Sequence, residues 1–227
     1  MRVIFTFDTY GTLIDWLGGV KEALKKLFNL EDETIDKFIQ VWGEYDYRLV
    51  QSEYRPYREI LMDGFKAALD RLEIPYTMEK LESLTLSIKE WPPFPDTTRN
   101  LLMLKKIGEI GIISNTDREF IQASISKMGV EFDHVVVAED IKLYKPNPMV
   151  FHMASKIMGL DARNHWFHIS SYHTYDIIPA KKSGLNIITV LLDRYGYAYQ
   201  AGEYADYIFK SFDKLVDELG KMVSSKA

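Results

Sequence analysis

Short apolar runs alternate with longer amphipathic stretches along most of this chain, and the alternation predicts its fold class. Six apolar runs have the length and residue types of buried strands. They are Val3–Phe7, Ile110–Ser114, His134–Ala138, Trp166–Ser170, Ile187–Leu191 and Tyr207–Phe209. Helical periodicity separates most of them, at Phe120–Met128, Met149–Met158, Ile177–Ser183 and Phe212–Met222, while 193–206 is predicted to be a loop. Strands that alternate with helices predict an α/β fold with an open, mostly parallel sheet.

One interval, from Asp15 to Trp91, has no strand pattern and only amphipathic stretches. Four of these predict helices, at Val20–Phe28, Glu33–Leu49, Tyr57–Leu72 and Met78–Glu90. The interval closes with WPPFPDT, in which three prolines predict a stiff linker. We therefore expect a small helical domain over residues 15–94, inserted after the first strand of a core formed by 1–14 and 95–227.

Composition narrows the function classes. The 227 residues are 47% hydrophobic and contain no cysteine, so the chain can bury a core without disulfides, and we expect a reducing, cytoplasmic setting. No run approaches the roughly 20 apolar residues of a membrane span, so a membrane partner is not expected. A net charge of -5 argues against nucleic acid as a general partner. The sequence leaves open whether the protein is a monomer or a homodimer.

Polar side chains follow four predicted strands at the points where the strands end. The first strand is followed by Asp8, Tyr10 and Thr12, the second by Ser114, Asn115 and Asp117, the third by Lys145, and the fourth by Ser171, His173 and Asp176. Ligands of open α/β sheets bind outside the carboxyl ends of the strands, so these residues predict one active site. Taken singly, each has a simpler interpretation, such as solvated charge for Lys145 or a helix cap for Asp176.

The segments FDTYGTL, IISNTD, LYKPNP and SSYHTYDIIPAKKSG resemble the four ordered motifs of the haloacid dehalogenase (HAD) superfamily. The helical insert also stands where that superfamily places its helical cap. The resemblance implies a Rossmann-like core, an aspartate nucleophile and a substrate pocket between core and cap.

The resemblance implies four catalytic residues. Asp8 matches the nucleophile, whose attack would form a covalent aspartyl ester. Thr12 matches the position that supports the nucleophile loop, and Lys145 matches the lysine that offsets charge around the nucleophile. Asp176 matches the late acidic position, where a carboxylate could hold Lys145 or position the hydrolytic water.

Five further positions match substrate-side residues, namely Tyr10, Ser114, Asn115, Ser171 and His173. In the superfamily, the residues matched by Ser114 and Asn115 hold the anionic part of the substrate. Tyr10 stands where phosphatases of the superfamily carry an acid–base aspartate, and a phenol with a pKa near 10 is poorly suited to that role. The dehalogenase branch carries an aromatic residue there, and its halide leaving group needs no proton. Ser171 stands where phosphatases carry an aspartate ligand of Mg²⁺. These positions favour a 2-haloacid dehalogenase-like hydrolase that acts on a small anionic substrate without a cofactor.

The sequence also departs from the dehalogenase pattern. That branch usually has Trp-Arg in the cap, with the arginine helping to hold the departing halide, whereas this chain reads Val41-Trp42-Gly43-Glu44. His173 replaces the usual asparagine, and Phe151 replaces the usual tyrosine. Candidate substitutes for the arginine are Arg48, Arg55 and Arg58, which we interpret as surface charges. The aromatic residues of the insert, among them Trp42, Tyr47 and Tyr57, are predicted to pack in its core.

Two alternatives remain open at this point. The first is a Mg²⁺-dependent phosphatase, in which Asp8, the Tyr10 backbone carbonyl and Asp176 would be the metal ligands. The second is a non-catalytic binding relative that kept the fold.

Overall fold

Six parallel strands form one sheet in the computed structural model, which describes residues 2–196 and 204–224. The strands are β1 (Val3–Phe7), β2 (Glu109–Ser114), β3 (His134–Val137), β4 (His165–Ser170), β5 (Ile187–Leu192) and β6 (Tyr207–Phe209). Their order across the sheet is β3-β2-β1-β4-β5-β6, with β1 between β2 and β4. The predicted α/β fold is confirmed, and Asp8 follows a strand at the middle of the sheet.

Helices surround this sheet. They are α1 (Trp16–Phe28), α2 (Asp32–Leu49), α3 (Tyr57–Arg71), α4 (Met78–Leu86), α5 (Thr97–Leu104), α6 (Arg118–Met128), α7 (Ala138–Ile141), α8 (Met149–Met158), α9 (Ile178–Lys182) and α10 (Phe212–Ser224). A 3₁₀ turn (Ser87–Glu90) follows α4, and a single π-helical turn (His173–Ile177) precedes α9. In the described part of the chain, none of the helices combines the length and apolarity needed to cross a bilayer.

Both faces of the sheet are covered, which explains why its strands are almost continuously apolar. Neighbouring residues of one strand belong to different hydrophobic clusters, as Ile112 and Ile113 show. Ile113 packs with Phe151 and Trp166 on the side of α8. Ile112 belongs to the larger cluster, which continues without a break into the helices that follow β1.

The helical insert comprises α1 to α4 and lies between β1 and α5 in the chain. Its centre is aromatic, since the Trp42 and Phe65 rings lie 4.8 Å apart and those of Phe38 and Phe65 lie 5.7 Å apart. Asp15 begins α1 by accepting a hydrogen bond from the Gly18 amide at 3.0 Å, as an N-cap aspartate does. The division into a core and a 15–94 domain stays a prediction.

Asp117, which was predicted to lie near the site, instead links the insert to the core through hydrogen bonds. Its two carboxylate oxygens accept the backbone N–H groups of Tyr57 and Arg58, each at 2.8 Å. These amides belong to the first turn of α3, which has no hydrogen-bond partners of its own for them. A core residue therefore caps a helix of the insert.

Three local predictions need correction. The third strand ends at Val137 rather than Ala138, because Ala138 begins the short helix α7. Helix α5 was not predicted, since its eight residues begin with the polar stretch Thr97–Asn100 and show little periodicity. The predicted helix Ile177–Ser183 begins one turn earlier, as the π-helical turn. Residues 197–203 of the predicted loop lie outside the described residues.

Candidate active site

A cavity of about 510 Å³ lies at the carboxyl edge of the sheet, beneath the helical insert. From the sheet side it is lined by Asp8, Tyr10, Ser114, Asn115, Lys145 and Asp176. From the insert side it is lined by Trp16, Trp42, Gly43, Asp46, Tyr47 and Tyr57. The structure thus brings most of the predicted site residues to one cavity of the size that small-molecule sites have.

Lys145 is the centre of the charged cluster at the base of the cavity. Its ammonium donates to Asp8 Oδ1 at 2.8 Å, to Asp176 Oδ1 at 2.6 Å and to the Ile113 carbonyl at 2.9 Å. Only 1% of the Lys145 side chain is exposed. Burial acts to lower the pKa of Lys145, but the two carboxylates outweigh burial and raise it, so the ammonium stays charged. The simpler interpretation of Lys145 as solvated surface charge is excluded.

The loop after β1 orients the Asp8 carboxylate. The Asp8 amide donates to the Ile169 carbonyl at 3.0 Å, and the Thr12 hydroxyl donates to Asp8 Oδ2 at 3.0 Å. Burial raises the pKa of Asp8, and Lys145 and Thr12 act against that rise. The turn needs Gly11, whose φ is 90° and whose missing Cβ would overlap the Tyr172 hydroxyl.

Asp176 lies on the π-helical turn and is fully buried. Its Oδ1 contacts both Lys145 and His168 Nε2, the latter at 2.8 Å. Burial acts to raise the pKa of Asp176, but Lys145 and His168 outweigh it and hold the pKa below its usual value. Its Oδ2 is buried and has no hydrogen-bond partner within the described part of the chain. The interpretation of Asp176 as a simple helix cap is therefore wrong, and its Oδ2 is available to a ligand or water.

His168 was missed by the sequence analysis although it supports Asp176. The Trp166 indole donates to Thr6 Oγ1 at 2.8 Å, and Thr6 Oγ1 lies 2.9 Å from His168 Nδ1. Since an ionised Asp176 can only accept, the Nε2 of His168 that lies 2.8 Å from it carries a proton and donates it. The signal in the sequence was a histidine in the middle of a predicted strand, between the apolar residues Phe167 and Ile169.

Tyr10 is held in the cavity wall by its ring and its hydroxyl. The ring meets Trp91 edge to face at 5.8 Å, and the hydroxyl lies 3.2 Å from Ser124 Oγ. Burial raises the pKa of Tyr10 to about 12. The phenol therefore keeps its proton at neutral pH and cannot alternate between acid and base.

The other predicted substrate-side residues have different surroundings. Ser114 is buried, and its hydroxyl has no partner among the described residues. Asn115 accepts from the Lys145 amide and donates to the Lys145 carbonyl, both at 2.8 Å, so its side chain braces the lysine loop. Ser171 does not reach the cavity, because its hydroxyl donates to the Leu192 carbonyl at 2.6 Å. His173 does line the cavity, and burial lowers its pKa.

Gly43 lies on the cavity wall where the arginine of the dehalogenase branch was sought. The three candidate substitutes lie elsewhere: Arg55 pairs with Asp63 at 2.9 Å, Arg58 pairs with Glu82 at 2.8 Å, and Arg48 lies over the Tyr45 ring. Among the described lining residues there is no arginine. The sequence interpretation of these three arginines as surface charges agrees with their positions.

Asp46 is a carboxylate of the cavity wall that the sequence analysis missed. The Tyr57 hydroxyl donates to its Oδ1 at 3.1 Å, and the Tyr175 hydroxyl donates to its Oδ2 at 3.3 Å. Burial raises the pKa of Asp46 to about 6, against the effect of these two hydrogen bonds. The signal was its place one helical turn after Trp42, on the same face of α2.

The aromatic side chains of the insert do more than pack. Trp42 and Tyr57 are buried, as predicted, yet both also line the cavity, and Tyr47 lines it while partly exposed. The same aromatic side chains therefore pack in the core of the insert and form the wall of the cavity.

The charged cluster offers few uncommitted ligands to a magnesium ion. The Lys145 ammonium already occupies the space between Asp8 and Asp176, and Thr12 takes the second oxygen of Asp8. Ser171, at the position of a phosphatase metal ligand, directs its hydroxyl to a backbone carbonyl. Mg²⁺ is usually held by one or two carboxylates, with waters completing its octahedron. Of the carboxylate oxygens of Asp8 and Asp176, only Oδ2 of Asp176 has no hydrogen-bond partner among the described residues.

Comparison with known proteins agrees with the fold and with the family that the four motifs resemble. Residues 3–184 match the haloacid dehalogenase-like hydrolase family. The chain is 28% identical to (S)-2-haloacid dehalogenase 4A of Burkholderia cepacia, over 84% of this chain and 82% of that protein. It is 26% identical to a glyceraldehyde 3-phosphate phosphatase of Methanothermobacter thermautotrophicus, over 84% and 85%. The crystal structure of the L-2-haloacid dehalogenase RSc1362 superposes with a TM-score of 0.84 at 21% identity, covering 97% of this chain and 99% of that one.

The chain belongs to the haloacid dehalogenase-like hydrolases. The fold and family that the four motifs indicated are confirmed, and the protein is a hydrolase of this family.

Proposed function

We propose that this hydrolase uses Asp8 as a covalent nucleophile on a small substrate with an anionic reacting end, in the manner of a 2-haloacid dehalogenase. The observation that carries the proposal is the ammonium of Lys145, held 2.8 Å from Asp8 Oδ1 and 2.6 Å from Asp176 Oδ1 in a buried cluster. A buried carboxylate attacks only when it is ionised, and a fixed ammonium favours that form.

The reaction would proceed in two steps. In the first, Asp8 attacks the carbon that bears the halogen, a carbon–oxygen bond forms, and the halide leaves with the electron pair of the broken bond. In the second, water attacks the carbonyl carbon of the aspartyl ester, and the free Oδ2 of Asp176 is suited to orient that water. The products are a hydroxy acid, a halide ion and a proton, and Asp8 is regenerated.

The first step needs no proton donor at the leaving group, and Tyr10 is consistent with that requirement. With a pKa of about 12, its phenol keeps its proton under ordinary conditions. The buried hydroxyl of Ser114 would bind the anionic end of the substrate, while the insert would act as a cap over the cavity. The cluster supplies all charged groups of this mechanism, so no cofactor is proposed.

A parallel assay tests the proposal. The protein is incubated with L-2-chloropropionate and with an aryl phosphate, each with Mg²⁺ or EDTA, and chloride and phosphate are measured. Chloride release that EDTA leaves unchanged is expected. Asp8→Asn should abolish turnover, because an amide is a poor nucleophile, whereas Asp217→Asn on the exposed face of α10 should retain it.

Magnesium-dependent phosphatase activity is the second candidate. It is favoured by Gly43, since the wall lacks the arginine that would hold a halide, and by the resemblance to a phosphatase. Phosphate release that appears only with Mg²⁺, without chloride release, would replace the first proposal by this one.

A further inference from the structure

The side chains that line the cavity carry more negative than positive charge. Three carboxylates line it, from Asp8, Asp46 and Asp176, against the single ammonium of Lys145. Lys145 is already shared by Asp8 and Asp176, which leaves Asp46 without a cationic partner among the described residues. His173 adds no compensating charge, since burial lowers its pKa. Such a cavity attracts positive charge.

Two hydrogen bonds hold the Asp46 carboxylate in place, and it can accept more. The hydroxyls of Tyr57 and Tyr175 each supply one hydrogen bond to it, from α3 and from the π-helical turn. A carboxylate can accept about four hydrogen bonds, so both oxygens retain acceptor capacity towards the cavity. One turn earlier on the same helix, Gly43 contributes no side chain, and the wall there is open.

Aromatic rings surround this carboxylate. Tyr47 meets Tyr175 edge to face at 5.3 Å, and Tyr175 meets Tyr172 in the same way at 6.1 Å. Trp16 and Trp42 meet at 5.2 Å and continue the wall. The indole N–H of Trp42 is buried without a partner in the described chain, and its edge faces Gly64 of α3, so it is not directed at a ligand. This side of the cavity thus presents the Asp46 carboxylate and several aromatic rings, which is the composition that binds organic ammonium ions.

We propose that the Asp46 side of the cavity binds an ammonium group of the substrate, and that the substrate is therefore a small zwitterion. Its anionic end reacts at Asp8, and its cationic end lies against Asp46 and the surrounding tyrosine and tryptophan rings. The reacting end rests on the proposed function above, whereas the ammonium subsite stands on the cavity wall alone. A cavity of about 510 Å³ has room for both ends.

Binding of an unreactive cation tests the subsite without any turnover. Choline is titrated into the protein, and the total tryptophan fluorescence is followed, since Trp16, Trp42 and Trp91 line the cavity. The neutral isostere 3,3-dimethyl-1-butanol is titrated in parallel at matched ionic strength. We expect choline to bind at least about tenfold more tightly than the alcohol, as a partly desolvated ion pair with cation–π contacts permits. Equal affinities, or no binding of choline, would overturn the proposal.

Two variants test whether Asp46 is the residue that recognises the charge of choline. Asp46→Asn keeps the shape of the side chain and an acceptor for one tyrosine hydroxyl, and it should remove the preference for choline over the alcohol. Glu44→Gln neutralises an exposed carboxylate of the same helix and should leave the preference intact. An Asp46→Asn protein that still prefers choline would show that the charge is not recognised by this residue. Should that variant fail to fold, Tyr47→Leu removes a partly exposed ring from the same side of the cavity and should weaken the binding of choline more than that of the alcohol. An unchanged ratio of the two affinities would then overturn the subsite.

A substrate pair separates this inference from the proposed function. A 2-chloro acid that ends in trimethylammonium is compared with the analogue that ends in tert-butyl, and chloride is measured. A kcat/KM at least about tenfold higher for the ammonium compound is expected. Chloride release from both compounds at equal rates would refute the ammonium subsite and leave Asp8 chemistry in place. Choline binding without chloride release from either compound would support the ammonium subsite and refute the dehalogenase chemistry proposed for Asp8.

Discussion

Replacing Lys145 by methionine would test the electrostatic organisation of the site most severely. Methionine has a similar length and an apolar, flexible side chain, so the substitution removes the charge while filling most of the space. It leaves Asp8 and Asp176 buried beside each other without the ammonium that contacts both. We expect activity to be lost and the fold to be weakened at neutral pH.

The magnitude follows from the contacts. Removing one partner of a buried ion pair costs about 3–5 kcal/mol, because the remaining charge is left uncompensated. Here the ammonium compensates two carboxylates, so we place the loss of unfolding free energy at about 4 kcal/mol or more. For a chain of this size that corresponds to a fall in Tm of roughly 8–16 °C.

The loss of stability in Lys145→Met should depend on pH in a predictable direction. Without Lys145, the folded-state pKa values of both carboxyls lie above their unfolded values, because burial and mutual repulsion favour the neutral forms. Their contribution to stability is then fully present below the unfolded pKa values and is lost as pH rises through the folded ones. Lys145→Met should therefore be closest to the unaltered protein near pH 4 and fall furthest behind it above neutrality.

Urea unfolding of both proteins across this pH range, followed by circular dichroism, measures the difference. Lys156→Met, on the exposed surface of α8, controls for the loss of a lysine in general. If Lys145→Met were as stable as the unaltered protein at pH 8, or if the difference did not change with pH, the assignment of Lys145 as the shared counter-ion would be refuted.

Two further substitutions test the support of the carboxylates. Gly11→Ala should lower the free energy of unfolding by about 1–3 kcal/mol and remove most of the activity, because the added methyl overlaps the Tyr172 hydroxyl. The control Gly129→Ala is also at positive φ but has open space around it, so it should lower the free energy of unfolding by less. Equal losses in thermal unfolding would contradict the argument. His168→Phe should lower kcat by roughly tenfold or more, because Asp176 loses a hydrogen bond to its charged form that is worth about 1.5–3 kcal/mol. It should also move the acid limb of the pH profile to higher pH, because that hydrogen bond lowers the pKa of Asp176. An unchanged profile would show that His168 only fills space.

Much of the fold could be read from the sequence because a parallel sheet covered on both faces leaves a strong pattern. The strand Ile187–Leu192 shows this, since it consists almost entirely of branched apolar residues. The same pattern was weak at α5, whose eight residues are too few and too polar at their start to show a helical period. Short connecting helices depend on tertiary contacts, such as the bond from the Thr97 hydroxyl to the Leu13 carbonyl at 2.8 Å.

The charged cluster was predictable from the motifs, whereas its surroundings were not. Asp8, Lys145 and Asp176 are 137 and 31 residues apart in the chain, yet the four ordered motifs indicated that they belong together, and the structure brings them together. Asp46 escaped notice because a single aspartate on an amphipathic helix has the pattern of an exposed residue. Asp46 faces the cavity only because α2 packs against α3 and against the π-helical turn.

The most direct test of the account is the fate of oxygen from water during turnover. The protein hydrolyses its substrate over several cycles in water enriched in ¹⁸O, and the peptide that contains Asp8 is then analysed by mass spectrometry. If an aspartyl ester forms and water attacks its carbonyl carbon, the heavy oxygen enters the Asp8 carboxylate. Heavy oxygen in Asp8 is the predicted result. Its appearance in the product alone, from the first turnover onward, with none in Asp8, would show that water attacks the substrate directly and would contradict the central claim.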